Sequence, residues 1–271
     1  MARAAFCKYQ ALGNDYLVID PADNDLALTP AAARLLCDRR YGVGSDGVLF
    51  GPAEVAEGFG VRIFNPDGGE AEKSGNGVRI FARYLHDRGY VTGEDGTILT
   101  AGGAVAFRYL DPGAGRIQVE MGQASFREQA ALDVAGQTIP VTCVSMGNPH
   151  CVVFGLGATE QLARTLGPQI ERHPAFPDRT NVQFVEVIDR GRIRIEIWER
   201  GAGYTLASGT SSCAAASAAH RLGLVDASVK VAMPGGEIDI AIGADWRVKM
   251  TGDVRATIAG ELSADLIAAL G

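Results

Sequence analysis

Residues 13–19 read Gly-Asn-Asp-Tyr-Leu-Val-Ile, and residues 147–153 read Gly-Asn-Pro-His-Cys-Val-Val. The second stretch begins 134 positions after the first, and the Ser-Gly pair at 208–209 follows the Ser-Gly pair at 74–75 by the same distance. Similarity at one fixed offset is the mark of a duplicated structural unit. The sequence therefore predicts two similar halves.

The same offset holds between these landmarks. Residues 47–50 (Gly-Val-Leu-Phe) align with residues 181–184 (Asn-Val-Gln-Phe), and residues 63–65 (Ile-Phe-Asn) align with residues 197–199 (Ile-Trp-Glu). Four separated landmarks at a single spacing argue against a chance recurrence of glycine-rich turns. We interpret the chain as a repeat that runs through both halves.

The junction between the halves is expected at Asp111-Pro112-Gly113, because Asp, Pro and Gly together are a strong turn signal. This gives an N-terminal half of residues 1–113 and a C-terminal half of residues 114–260. We expect the last residues, 261–271, to return to the N-terminal half.

Each half is predicted to contain strands followed by a helix. Residues 61–64 and 192–198 have strand composition, and in the second segment isoleucines alternate with Arg and Glu. Helical spacing of apolar residues follows Ser74, and a run of small residues, 213–219, follows Ser208. A helix with so little side-chain bulk can be enclosed on all sides. The predicted fold is α/β (α+β), with strands wrapped around a central helix in each of two pseudo-symmetric halves.

The composition narrows the class of protein. With 271 residues, 47% hydrophobic and 21% charged, the chain is typical of a soluble globular protein. The net charge of −7 gives no sign of a basic face, so a nucleic-acid partner is not expected. Neither a run of about 20 apolar residues nor a signal-peptide core is present. We expect a cytoplasmic protein without a membrane partner.

Cysteine usage points to neither disulfides nor metal. The five cysteines are an odd number, they are widely spaced, and no pair has the spacing of a zinc finger. We expect most of them to be reduced, buried and small apolar residues, and we predict no metal site.

The candidate site lies at the two helix starts. Each begins with a polar hairpin, at 65–69 and 199–203, and continues to Ser-Gly at the first turn of a helix. A helix N-terminus presents unpaired amides and the positive end of the helix dipole, so two of them could hold an α-carboxylate and stabilise charge beside it. The alternative is that Ser74 and Ser208 are ordinary N-caps, a position that serine favours.

At this point the motifs resemble a known family. The runs Gly13-Asn14-Asp15, Phe64-Asn65-Pro66-Asp67-Gly68, Ser74-Gly75-Asn76-Gly77, Gly147-Asn148-Pro149-His150 and Glu199-Arg200-Gly201-Ala202-Gly203 look like those of diaminopimelate epimerases, in the same order and over nearly the whole chain. That family inverts a substrate α-carbon with two cysteines, one on each face, and uses no metal, flavin or pyridoxal phosphate.

The resemblance implies roles for individual residues. The cysteine positions fall on Ser74 and Ser208, and His150 and Glu199 would assist them. Residues implied in substrate binding are Asn14, Asn65, Gly75, Asn76, Asn148, Asn181, Arg200, Gly209 and Thr210. Arg200 suits a distal carboxylate by bidentate pairing. The substrate would be a small amino acid of the lysine and peptidoglycan precursor pathway, no cofactor is expected, and a homodimer is allowed.

The sequence departs from the family at Ser74 and Ser208, and also at Gly47, where the family places glutamine, and at Tyr204, where glutamate is common. A serine hydroxyl is a far weaker acid than a thiol. Three explanations stay open: serines introduced to trap a complex, a natural subgroup with altered bases or another small-carboxylate substrate, and a silent amino-acid-binding protein. Lys73 is a candidate alternative base, although a solvated lysine is the simpler interpretation.

The isomerase hypothesis makes a geometric prediction. Inversion needs one group on each face of a single carbon, within hydrogen-bond reach. The Ser74 and Ser208 hydroxyls are therefore expected to face each other across one buried cavity that His150 and Glu199 border. A structural subunit that keeps only the fold would not need this arrangement.

Overall fold

The computed structural model describes residues 4–53, 55–111, 113, 115–127 and 130–270. Pro112 and Ala114, at the predicted junction, lie outside the described residues. The chain divides into two compact units, one of Met1–Val119 with Gly252–Gly271 and one of Glu120–Thr251.

Strands make up most of the regular structure. In chain order the elements are β1 (Ala5–Ala11), β2 (Asn14–Ile19), α1 (Pro30–Cys37), β3 (Val48–Ala53), β4 (Phe59–Phe64), β5 (Glu70–Ala71), α2 (Gly75–Asp87), β6 (Asp95–Thr100), β7 (Gly103–Asp111), β8 (Arg116–Gln123), β9 (Ser125–Phe126), β10 (Ala130–Val134), β11 (Gln137–Ser145), β12 (Pro149–Phe154), α3 (Glu160–Glu171), β13 (Asn181–Asp189), β14 (Arg192–Glu199), β15 (Gly203–Thr205), α4 (Gly209–Arg221), β16 (Ser228–Met233), β17 (Gly236–Ile242), β18 (Arg247–Asp253), β19 (Arg255–Glu261) and α5 (Ala264–Leu270). A short 3₁₀ helix, Pro21–Asp23, lies between β2 and α1.

In the first unit, β1 pairs antiparallel with β2 and β19, and β2 pairs parallel with β3 in the register Leu17↔Val48. The following pairs are β3–β4 antiparallel, β4–β6 parallel and β6–β7 antiparallel. Parallel neighbours need a crossover connection. Here α1 lies in the crossover from β2 to β3, and α2 lies in the crossover from β4 to β6.

The second unit repeats this pattern. Strand β11 pairs antiparallel with β12, and β12 pairs parallel with β13 in the register His150↔Asn181. Then come β13–β14 antiparallel, β14–β16 parallel and β16–β17 antiparallel. The crossovers contain α3 and α4. Helices α2 and α4 each have 13 residues and begin 134 positions apart, as the sequence offset predicts.

Both predicted helices are enclosed by strands. Helix α2 packs against β1, β2, β3 and β7, and its apolar residues Val78, Phe81, Ala82 and Leu85 are buried. Helix α4 packs against β11–β14, β16 and β17, and residues 213–219 are fully buried. Small side chains let these six strands approach α4 closely, which explains why α4 is so rich in alanine and serine.

The alternation in β14 is confirmed, with one addition that the sequence does not show. Ile193, Ile195 and Ile197 are fully buried on one face, but Glu196 on the other face is only 9% exposed. Helix α3 packs against β14 and covers that face. The Glu196 carboxylate accepts a hydrogen bond from the Tyr204 hydroxyl at 2.8 Å, which offsets the cost of burial.

All five cysteines are free, and Cys37, Cys151 and Cys213 are buried, as expected. Among the described residues, no helix is long and apolar enough to cross a membrane.

Enlarging a side chain inside α4 should be costly. Ala216 is fully buried, whereas Ala31 is exposed on α1. We expect Ala216→Leu to lower the free energy of unfolding by about 1–3 kcal/mol or more, because the enclosing strands leave no room for the added methylenes. Ala31→Leu is the matched control and should change it by less than about 0.5 kcal/mol. Urea unfolding measures both, and equal effects would contradict the enclosed-helix description.

Candidate active site

Ser74 caps the N-terminus of α2. Its backbone is extended, and its Oγ accepts a hydrogen bond from the Gly77 amide at 3.0 Å. The Tyr16 hydroxyl, from β2, lies 3.2 Å from the same Oγ. The N-cap interpretation of Ser74 is therefore confirmed. It is compatible with a functional role, because the cap fixes the hydroxyl at the positive end of the helix dipole.

A chain of polar side chains orients the first helix start. The Asn76 side-chain amide donates to Asn14 Oδ1 at 3.2 Å, and the Asn14 amide donates to Asp46 Oδ2 at 3.2 Å. Arg79, which is fully buried one turn later, donates to Asn76 Oδ1 at 2.7 Å. The structure thus brings Asn14 and Asn76 together. Sequence reasoning missed Asp46 and Arg79, although Arg79 follows Asn76 at helical spacing.

Ionic contacts secure the loop that carries Asn14. The neighbouring Asp15 carboxylate contacts Lys8 at 2.6 Å and Arg39 at 2.7 Å, and Arg39 also contacts Asp46 at 2.8 Å. Burial opposes ionisation of Asp15, but hydrogen bonds from Arg39 and Lys8 outweigh it and lower the pKa to about 2. Asp15 therefore stays charged and holds the Asn14 loop at neutral pH.

Ser208 caps α4 in the same way. Its Oγ accepts from the Ser211 amide at 3.4 Å, and the residue is buried. Glu199 is the last residue of β14, where it lies half-buried beside the Ser208 side chain. Burial raises the pKa of the Glu199 carboxyl, and the nearby Ser208 side chain only partly offsets this effect. A carboxylate with a raised pKa is a stronger base, so Glu199 is suited to take the proton of Ser208.

His150 is buried at the beginning of β12. Gln183 Nε2 lies 3.1 Å from His150 Nδ1, and His150 Nε2 lies 2.9 Å from Asn148 Oδ1. Because an amide nitrogen donates, Nδ1 accepts and the ring proton is on Nε2, directed at Asn148. Burial lowers the pKa of His150 to about 3, and the positive charge of Arg200 acts in the same direction. His150 is neutral at physiological pH.

Gln183 links His150 to the helix start. Its amide also donates to Ser211 Oγ at 2.9 Å, in the first turn of α4. Sequence reasoning missed Gln183, whose signal was a polar residue between the apolar Val182 and Phe184 of β13.

Asn181 and Arg200 are also joined. Asn181 donates to the Pro149 carbonyl at 2.9 Å and accepts from the Arg200 backbone amide at 3.0 Å. The Arg200 guanidinium donates to the Asp178 carbonyl at 3.2 Å. Within the second unit, His150, Asp178 and Arg200 border an open cavity of about 710 Å³.

The remaining predicted residues occupy positions that the repeat implies. Asn65 begins the turn after β4, where its carbonyl accepts from the Gly68 amide at 2.9 Å. Gly75 and Gly209 are the first residues of α2 and α4, and Thr210 follows Gly209. No group of three or more His, Cys, Asp and Glu side chains is placed to hold a metal ion within the described part of the chain.

Comparison with known proteins identifies the family. The profile described as diaminopimelate epimerase matches residues 6–127 and 142–257. The chain belongs to the diaminopimelate epimerase family. It is 50% identical to a protein of Nostoc sp. (strain PCC 7120 / SAG 25.82 / UTEX 2576) named diaminopimelate epimerase 2, with 97% of each chain covered. It is 40% identical to the diaminopimelate epimerase of Nostoc punctiforme (strain ATCC 29133 / PCC 73102), over 95% of this chain and 99% of that protein.

The fold is also found among solved structures. A predicted epimerase from Pseudomonas aeruginosa superimposes with a TM-score of 0.71 over 96% of this chain and 99% of that chain, at 18% identity. At this identity the likeness concerns the fold alone. The mixed α and β architecture of this diaminopimelate epimerase family member is thus as the sequence predicts.

The neutral state of His150 has a consequence for stability. The unfolded chain protonates this histidine below about pH 6.5, but the folded protein does so only near pH 3. The contribution of the neutral His150 to the free energy of unfolding is therefore complete above pH 6.5 and is lost as the pH falls towards 3. Between pH 7 and pH 5, the free energy of unfolding of the unaltered protein should fall by about 2 kcal/mol more than that of the His150→Gln variant.

Urea unfolding at pH 8, 7 and 5 measures this difference. Between pH 8 and pH 7 the two proteins should change in parallel, which serves as the internal control. Parallel change down to pH 5 would show that His150 is not held neutral by its burial.

Proposed function

We propose that this chain inverts the α-carbon of a small amino acid without a cofactor, and that diaminopimelate is its first candidate substrate. The observation that carries the proposal is the duplicated helix start: in a chain of this family, Ser74 and Ser208 cap two enclosed helices at equivalent positions. The proposed setting is the cytoplasm, in synthesis of lysine and peptidoglycan precursors, and the proposed assembly is a homodimer.

The chemistry requires two groups and an anion site. One group removes the α-proton from one face, and another delivers a proton to the opposite face. The negative charge that develops spreads onto the α-carboxylate, which amides at a helix N-terminus can stabilise. In the proposal, Ser74 and Ser208 are the two groups, and the amides of Gly75, Asn76, Gly209 and Thr210 hold the α-carboxylate.

Serine needs help to act as a base. The half-buried Glu199, which lies beside Ser208 and has a raised pKa, is the proposed acceptor for the Ser208 proton. His150 is the second proposed assistant, because its neutral ring accepts from Gln183 at Nδ1, donates to Asn148 at Nε2 and so holds both side chains in place. Asn14, Asn65, Asn148 and Asn181 are the proposed substrate-binding amides.

Arg200 supports a substrate with a second carboxylate. Its guanidinium is exposed beside the cavity, and its backbone is fixed by Asn181. A planar guanidinium pairs bidentately with a carboxylate. Lysine carries its two amino groups at the same positions as diaminopimelate but lacks the distal carboxylate, so it is the matched control ligand.

The second candidate function is amino-acid binding without turnover. It is favoured by one observation: the serines preserve size and capping, whereas a hydroxyl is a much weaker acid than a thiol, so its deprotonated, basic form is hardly populated. Binding could persist in such a site while proton transfer fails.

Restoring thiols separates these functions. We expect the double variant Ser74→Cys/Ser208→Cys to epimerise diaminopimelate at least about 100-fold faster than the unaltered chain, because thiols are effective general acids and bases. Each single substitution should do little, since inversion needs both faces. Conversion is followed by chiral chromatography, with lysine as the second substrate.

The control is Ser217→Cys, which adds a thiol to the interior of α4 away from its start. It should leave the rate unchanged. A double variant that folds and binds diaminopimelate but gains no activity would contradict the assignment of Ser74 and Ser208. Equal conversion of lysine would contradict the role of Arg200.

A further inference from the structure

Tyr16 is the polar group nearest to Ser74 that neither the sequence nor the proposed function accounts for. Its side chain is buried on β2, and its hydroxyl lies 3.2 Å from Ser74 Oγ. The same Oγ already accepts from the Gly77 amide. A phenol is a stronger acid than an alkyl alcohol, so Tyr16 is the better donor of the pair. Ser74 Oγ then receives two hydrogen bonds, and its own proton is available for transfer.

The position of the Tyr16 ring depends on Gly47. A Cβ added at Gly47 would lie 2.5 Å from Tyr16 Cε1 and 2.7 Å from the Phe64 carbonyl oxygen. The backbone of Gly47 is not in the left-handed region, so its conformation alone does not require glycine. Glycine is required because a Cβ would not fit. The Leu17 amide, next to Tyr16, donates to the Gly47 carbonyl at 3.0 Å and fixes the two segments together. A side chain at residue 47 is therefore incompatible with the Tyr16 ring in its present position.

The repeat places Tyr16 at an informative position. Residue 150 follows residue 16 by the same 134 positions that separate the two serines. In the second unit, His150 connects through Gln183 to Ser211 Oγ, in the first turn of α4. In the first unit, Tyr16 reaches the cap of α2 directly. Equivalent strand positions thus carry a polar side chain that is connected to the helix start, directly for Tyr16 and through Gln183 for His150.

We propose that Tyr16 is a positioning residue that acts through Ser74, and that Gly47 provides the space that makes this possible. The Tyr16 hydroxyl keeps its proton and donates a hydrogen bond to Ser74 Oγ. Together with the Gly77 amide, it stabilises the negative charge that Oγ gains when Ser74 gives up its proton. This inference rests on the proposed acid–base role of Ser74.

The test measures acidity directly at position 74 and needs no turnover. In a Ser74→Cys background, the rate of alkylation by iodoacetamide is followed from pH 5 to pH 10, and peptide mass spectrometry separates this thiol from the five native cysteines. Loss of a donor should raise the pKa of the introduced thiol. We expect Tyr16→Phe to raise it by about one unit, which lowers the alkylation rate at pH 7 about tenfold.

Tyr9→Phe is the matched control. Tyr9 is an equally buried tyrosine of the first unit, but its hydroxyl donates to Asp87 at 3.1 Å. It should leave the thiol pKa unchanged. An unchanged pKa in a folded Tyr16→Phe variant, or an equal shift with Tyr9→Phe, would overturn the inference.

Gly47→Ala tests the coupling of the two positions. The added methyl group should displace the ring, so Tyr16→Phe should have no further effect in a Gly47→Ala background. A full tenfold effect there would overturn the role of Gly47, and if Gly47→Ala does not fold, the Tyr16→Phe result decides the proposal by itself. Because alkylation is independent of epimerisation, failure here and failure of the proposed function give different results.

Discussion

The start of a buried helix leaves backbone amides that need partners, and this constraint determines the rest of the site. Helices α2 and α4 are enclosed by strands, so their first amides need acceptors from the protein or from a bound anion. Ser74 and Ser208 supply the acceptors, and in doing so they place a hydroxyl at the positive end of each helix. Structural capping and the proposed chemistry thus use the same two atoms.

Local sequence patterns account for the part of the structure that could be predicted from sequence. The offset of 134 residues, the small residues after Ser208 and the alternating isoleucines of β14 are local patterns, and each specifies its element. Asn14, Asn76 and Asn148 can be named as candidates from the sequence because they lie in motifs. The order of strand pairing is the same in the two units, in agreement with the offset of 134 residues, because segments of similar sequence form similar strands and helices.

The supporting residues could not be found in this way. Tyr16 and Gln183 lie within apolar strands, where a polar residue has no local partner, and their contacts with Ser74 and Ser211 span 58 and 28 positions. The burial of Glu196 depends on α3 covering its face of β14. Such contacts are set by which elements pack together, and only the folded structure brings them into view.

The proposed isomerase activity depends on whether the serine hydroxyls transfer the α-proton. Incubation of the unaltered chain with diaminopimelate in D₂O, followed by NMR, measures this without assuming a product. We expect deuterium to enter the α-position, more slowly than with the Ser74→Cys/Ser208→Cys variant, and to be absent with Ser74→Ala/Ser208→Ala. Diaminopimelate that binds to the unaltered chain but keeps its α-proton would contradict the isomerase account and indicate a binding protein.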